Sequence, residues 1–244
     1  MKKIFISLFL FFCLHQVKLN AQELIDEFLV FYDGKMNIFP SDWLDSDTKL
    51  KAKKAKKKSF EKDSLGLDTA LGYYPPSLLK AHLSKVYILG GLKFHGQSFT
   101  GTNSKKNIYI EGGNSEQTER TFHHEFSSIL LRNLSNSSFK YKWKELSPSL
   151  IDVTSAVAVK AGYTGTSLNE ALMEKGYLCK YSLSNWENDF NMYVEYLFYR
   201  SAEFWRLVDK YPKTKMKVDM VIEFYNKYVS HLYTEEFFRE IVVK

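Results

Sequence analysis

The stretch over residues 121–133, TFHHEFSSILLRN, constrains the fold more than any other. At about 100° per residue, Phe122, Phe126 and Ile129 fall on one stripe of a helix, while His124, Glu125 and Ser128 gather on the other side. His123 lies with Ser127 on a third sector. As the sequence neighbour of His124 it cannot share a ligand with it on an undistorted helix. Such a helix needs an apolar core on one side and polar company on the other. Ahead of it, residues 85–92 (KVYILGGL) and 107–111 (NIYIE) read as strands bounded by turn signals. Beyond Asn133 the sequence is mostly helical.

The remaining elements follow from the same periodicities. Apolar residues at 24, 25, 28, 29 and 32 predict a helix over 22–32, stopped by Asp33-Gly34. Residues 35–76 read as irregular, 77–84 as a short helix and 116–132 as the long central one. Ser167-Leu168-Asn169-Glu170 and Ser184-Asn185-Trp186-Glu187 match the capping box. The first opens a short helix ending at Gly176, the second a long helix through Trp205 to about Tyr211-Pro212. Two further helices are expected over 214–231 and 235–243. Strands and helices are segregated, so the fold class is α+β. Residues 22–115 form a lobe with a small sheet, and 116–244 hold the central helix and a helical lobe, together one domain.

Residues 1–21 read as a secretory signal. Lys2 and Lys3 precede the apolar run IFISLFLFFCL, which is too short to span a membrane, and Leu19-Asn20-Ala21 offers the cleavage site. No later segment is a transmembrane candidate, so the expected product is exported: periplasmic, secreted or on the cell surface. Of the two cysteines, Cys13 leaves with the signal. Cys179 then has no disulfide partner, and its GYLCKY context marks a small buried side chain. The net charge of +6 owes three charges to Lys2, Lys3 and Lys18. Lys49, Lys51, Lys53, Lys54, Lys56, Lys57 and Lys58 form a local basic run, without which the rest of the chain would be acidic. The ordinary reading of that run is a solvated loop or helix. It has no interleaved aromatics, and nucleic acid is not expected as a partner.

His124-Glu125-Phe126-Ser127-Ser128 is the zinc-hydrolase pattern H-E-x-x-H with serine at its last position. The serine leaves other readings open. His124 and Ser128, at i and i+4, could hydrogen-bond in a serine-hydrolase-like arrangement, or the helix could be merely core. The surrounding residues add a resemblance. RTFHHEFSSIL after the Ile-Tyr-Ile strand, then Gly-Tyr-Leu-Cys-Lys-Tyr-Ser and Trp-Glu-Asn-Asp-Phe, is similar to exported bacterial zinc-binding metallopeptidases of the gluzincin (zincin) type over roughly residues 70 to 210. That resemblance implies His124 as a zinc ligand and Glu125 as the general base that activates water. It implies a further carboxylate ligand from a later helix, for which Asp189 is the candidate, with His123 and Ser128 as weaker ones. Asn188 and Met192 stand where the family carries glutamates. The implied function is peptide-bond hydrolysis by metal-activated water, on a peptide held by strand addition near Asn107–Glu111. The alternative is an inactive module that keeps the cleft to bind peptides or surface partners.

Overall fold

The computed structural model describes residues 23–242; the expected signal segment lies outside them. Residues 23–28 form a helix, α1, and the chain then continues as strand β1 (Leu29–Phe31). The helix expected over 22–32 is thus cut short. Its second half, Leu-Val-Phe, pairs in parallel with β3 (Lys85–Leu89), Val30 opposite Tyr87. The β-branched and aromatic side chains suit a pleated sheet, and the tertiary partner overrides the helical periodicity.

Two sheets follow. The larger has the order β1-β3-β7-β6, with β7 (Asn107–Glu111) parallel to β3 and antiparallel to β6 (Gly101–Asn103). The smaller has the order β2-β4-β5, built from Lys51–Lys53, Gly91–Phe94 and Gln97–Ser98. The segment expected to be irregular holds β2 and a twelve-residue helix, α2 (Phe60–Leu71). Gly66 and the lysine run just before it mask α2 in the sequence. Gly66 is there because a Cβ would sit 2.2 Å from the Ser115 carbonyl oxygen, so only glycine lets α2 press against the start of the central helix.

That central helix, α4, runs Ser115–Leu134. Asn114 caps it by accepting from the Gln117 N–H at 2.8 Å. Asp63 of α2 braces the same end, accepting from the Gly113 N–H at 2.9 Å and from the Thr118 hydroxyl at 3.1 Å. Phe122, Phe126 and Ile129 are fully buried, as their shared stripe requires. Each contributes roughly 1.5–3 kcal/mol through that burial. The opposite face is buried as well: His124, Glu125 and Ser128 lie under β6 and α8 (Trp186–Phe198).

The C-terminal part is helical: α5 (Ser137–Glu145), α6 (Ser155–Lys160), α7 (Glu170–Met173), α8, α9 (Ala202–Lys210), α10 (Pro212–Tyr228) and α11 (Glu235–Glu240), with α3 (Pro76–His82) in the other half. The expected long helix to Trp205 breaks in two at Arg200, whose φ is +62°. Both capping-box readings shift, the first by two residues and the second by one. Asn169 and Asn185, not the preceding serines, accept from the N–H groups three positions on. Asparagine in the extended conformation is as good a cap as serine. Glu187 is therefore free of a capping role and pairs with Arg132 at 2.8 Å.

Candidate active site cleft

α4, α8 and β6 carry the site. On α4, Arg120, His124 and Ser128 recur at four-residue spacing, with Thr121 and Glu125 one step around. On α8, Asn188, Asn191, Met192 and Glu195 form the facing stripe. The two helices pack along these rows.

His124 meets Glu195, not Asp189. Its Nδ1 is 3.2 Å from Glu195 Oε2. The other oxygen of Glu195 accepts from Arg120 Nε at 2.9 Å and Nη2 at 2.6 Å. The Arg120 guanidinium in turn lies 4.0 Å from the centroid of the Tyr199 ring. Glu125 accepts from Asn103 Nδ2 of β6 at 2.6 Å, and Asn103 Oδ1 accepts from Arg132. Ser128 accepts from Asn191 Nδ2 at 2.6 Å, while Ser127 donates to Asn191 Oδ1 at 2.7 Å.

These contacts divide the charges. Burial opposes a proton on His124, but the hydrogen bond to Glu195 and the charges of Glu125 and Glu195 outweigh it and raise the imidazole above its ordinary value. Burial pushes Glu195 up, yet His124 and Arg120 hold it below the usual range. In Glu125 burial prevails over His124 and Asn103, and its carboxyl is raised.

A cleft opens over this floor in two lobes, of about 780 Å³ and 560 Å³. Both are lined by Phe99, Gly101, His124, Glu125 and Tyr181, so they meet above His124 and Glu125. One wall is β6, which lies at the edge of its sheet. β7, where peptide capture was expected, is flanked on both sides and cannot take another strand; the sheet edge that lines the cleft is β6. In the β6–β7 ladder, Glu111 N–H donates to Thr100 and Ser104 N–H to Asn107. With Gly101 opposite Ile110 and Asn103 opposite Ile108, the alternation turns the peptide groups of Gly101 and Asn103 away from β7 and outward. Gly101 must be glycine, since a Cβ would lie 2.4 Å from Thr121 Cγ2 and 2.9 Å from Glu125 Oε1.

The other sequence-predicted residues are elsewhere. Asp189 faces the opposite side of α8, where Lys217 Nζ reaches its Oδ2 at 2.6 Å and Trp143 Nε1 donates at 3.0 Å; both members of the ion pair are 0 % exposed. Residue 189 sits about 100° around the helix from Asn188, which puts it toward α5 and α10 and away from the cleft. His123 stacks on Phe198 at 4.1 Å, its Nδ1 2.9 Å from the Tyr74 hydroxyl, and burial drives its pKa far down. Burial pushes the Cys179 thiol up to about 11, which leaves it a poor nucleophile. Ser128, engaged with Asn191, makes no hydrogen bond to the imidazole of His124, so the serine-hydrolase arrangement is not built.

Glu195 and Arg120 were missed in the sequence, although both carry a signal. Arg120 is one turn before His124, and Glu195 is two turns after Asn188 on the stripe that faces α4.

The donor set does not fit zinc. His124 already gives one ring nitrogen, Nδ1, to Glu195. Glu195 already has its charge balanced by Arg120, whose guanidinium would repel a cation. Ser128 offers a neutral hydroxyl bound to an amide. Among the described residues no group of three His, Cys, Asp or Glu side chains is placed to hold a metal ion. The expected zinc centre of His124 and Asp189 is thus not assembled, because Asp189 and His123 point into the core and arginine occupies the carboxylate's second face.

No family model matches the chain, and no curated protein does. Among solved structures, a putative zinc-binding metallo-peptidase from Bacteroides caccae is similar at TM-score 0.47 and 13 % identity, over 73 % of this chain and 74 % of that one.

Proposed function

We propose that this chain is an exported, metal-free binding module that holds an extended peptide along β6, above the Arg120–Glu195–His124 network. The observation that carries the reading is the free antiparallel edge of β6 opening into the cleft, with Gly101 and Asn103 presenting outward peptide groups. Main-chain bonds to that edge would supply sequence-tolerant affinity. The aromatic lining of the smaller lobe, Trp43, Phe94, Phe99 and Trp186, would select bulky side chains. Export rests on the basic and apolar character of residues 1–21.

Selection from an immobilised random peptide library tests it. Bound peptides are expected to slow hydrogen exchange at the Gly101 and Asn103 amides and to stay intact with added zinc. No enrichment, or enrichment that leaves both amides unprotected, refutes strand addition. Hydrolysis is the second reading, favoured by one observation: two carboxylates, Glu125 and Glu195, line one cleft together with His124. Cleavage of a selected peptide that is lost in Glu125→Gln would establish it, and sensitivity to a chelator would restore the metallopeptidase reading.

A further inference from the structure

The small sheet carries an unneutralised basic face. β2 and β4 pair antiparallel with Lys51 opposite Lys93 and Lys53 opposite Gly91. Ala52 and Leu92 turn inward to the cluster around Phe39 and Tyr109, so Lys51, Lys53 and Lys93 stand on the outward face. Lys49 precedes the strand and four more lysines follow it over residues 54–58; all eight are exposed. Lys35, Lys80, Lys144, Lys210 and Lys215 each reach a carboxylate. Among the described residues none of the eight has an ion pair or a side-chain hydrogen bond. The Asp45 carboxylate, close in sequence, turns back to accept from the Asp47 and Thr48 N–H groups. The Glu111 carboxylate lies at the Gly91 end of the face.

Like charges directly opposite on paired strands cost stability, so Lys51 against Lys93 gains nothing within the fold. The charge type narrows the partner. Lysines are compact, hydrated charges on flexible stems, suited to a diffuse field of phosphates and not to one fixed, bidentate group. Phe94 of this sheet and Phe99 just after it belong to the inner cluster and the cleft, so these strands offer no outward aromatic side chain to stack on bases. Lys51, Lys53 and Lys93 share the sheet face, and the other five exposed lysines flank β2 directly in the chain. We infer that this face docks the protein onto an anionic phospholipid surface, leaving the cleft to act beside the bilayer.

The test is sedimentation of the full chain with vesicles of mixed phosphatidylglycerol and phosphatidylcholine, and with phosphatidylcholine alone, at low and high salt. Binding is expected to require the anionic lipid and to fall with salt. At about fivefold per lysine, K51Q/K53Q/K93Q should weaken partitioning roughly 100-fold. The equal charge change K105Q/K160Q/K175Q, at exposed lysines elsewhere, should weaken it less than about fivefold, and K51R/K53R/K93R should bind like the parent. Peptide selection by the cleft should be the same in all of them. Equal binding to both vesicle types, or equal losses in the two glutamine triples, would overturn the proposal. So would binding to heparin or single-stranded DNA without binding to vesicles. If the first triple does not fold, the lipid and salt dependence of the parent chain still decides.

Discussion

Replacing Lys217 by methionine separates a structural Asp189 from a functional one. Lys217 Nζ is 2.6 Å from Asp189 Oδ2 and donates to the Gly176 carbonyl at 2.6 Å, with the Tyr177 ring centroid 4.4 Å away. Neither side chain exposes any surface. Burial pushes Asp189 up and Lys217 down, each opposed by the other. Lys217→Met leaves Asp189 with Trp143 at 3.0 Å and Ser147 at 3.3 Å, and its Oδ1 without a partner. Removing one member of a fully buried pair costs about 3–5 kcal/mol. With a urea slope of about 2–3 kcal/mol/M, the unfolding midpoint should fall by roughly 1.5 M. Lys217→Met with Asp189→Leu replaces both charges by apolar groups and should recover to within about 1 kcal/mol of the parent. Affinity for a selected peptide should be the same in the parent and both variants. A loss below about 1 kcal/mol in the single variant, or an Asp189→Asn protein that keeps its stability and loses the peptide, would refute the structural assignment.

Glu195→Gln should lower the His124 pKa, read from its imidazole resonances. The raised His124 contributes stability that is complete below about 6.5 and is lost as pH rises through the folded value. The lowered Glu195 contributes above 4.5 and loses it as pH falls. The parent should therefore exceed Glu195→Gln most between those values, and urea titrations at several pH values check this. Ser128→His alone should not bind zinc, whereas Ser128→His with Arg120→Ala, which frees Glu195 and adds a second imidazole, should bind it; calorimetry distinguishes them. Gly101→Ala should cost about 1–3 kcal/mol in thermal or urea unfolding, since its methyl meets Thr121 and Glu125.

The periodicity around Phe122, Phe126 and Ile129 located α4, and NIYIE located β7 to the residue, because long or strongly patterned segments carry their own signal. α2 was illegible: its helical stripe is interrupted by Gly66, whose reason is a close approach to Ser115, a contact far away in sequence. β1 was hidden for the same kind of cause, a parallel partner 57 residues on. Of the residues read as metal ligand and general base, His124 and Glu125 line the cleft. Asp189 was misplaced because residues one step apart on α8 face opposite layers, and only the packing direction of that helix says which is which. The pattern His124-Glu125-Phe126-Ser127-Ser128 marks a position on α4. It does not say that Arg120 would supply the positive charge beside Glu195.

Asn103 lies in the edge strand, yet its amide holds Glu125 with one end and Arg132 with the other, and Arg132 is tied to Glu187 on α8. The rim of the groove is thereby stapled to both helices before any guest arrives. Most of the ordering on association would then fall on the guest, since the host is already set in its bound shape. Tightness of binding should consequently track the stiffness of the peptide: a cyclised or proline-flanked strand should outlast a linear one of identical contacts, chiefly through slower release.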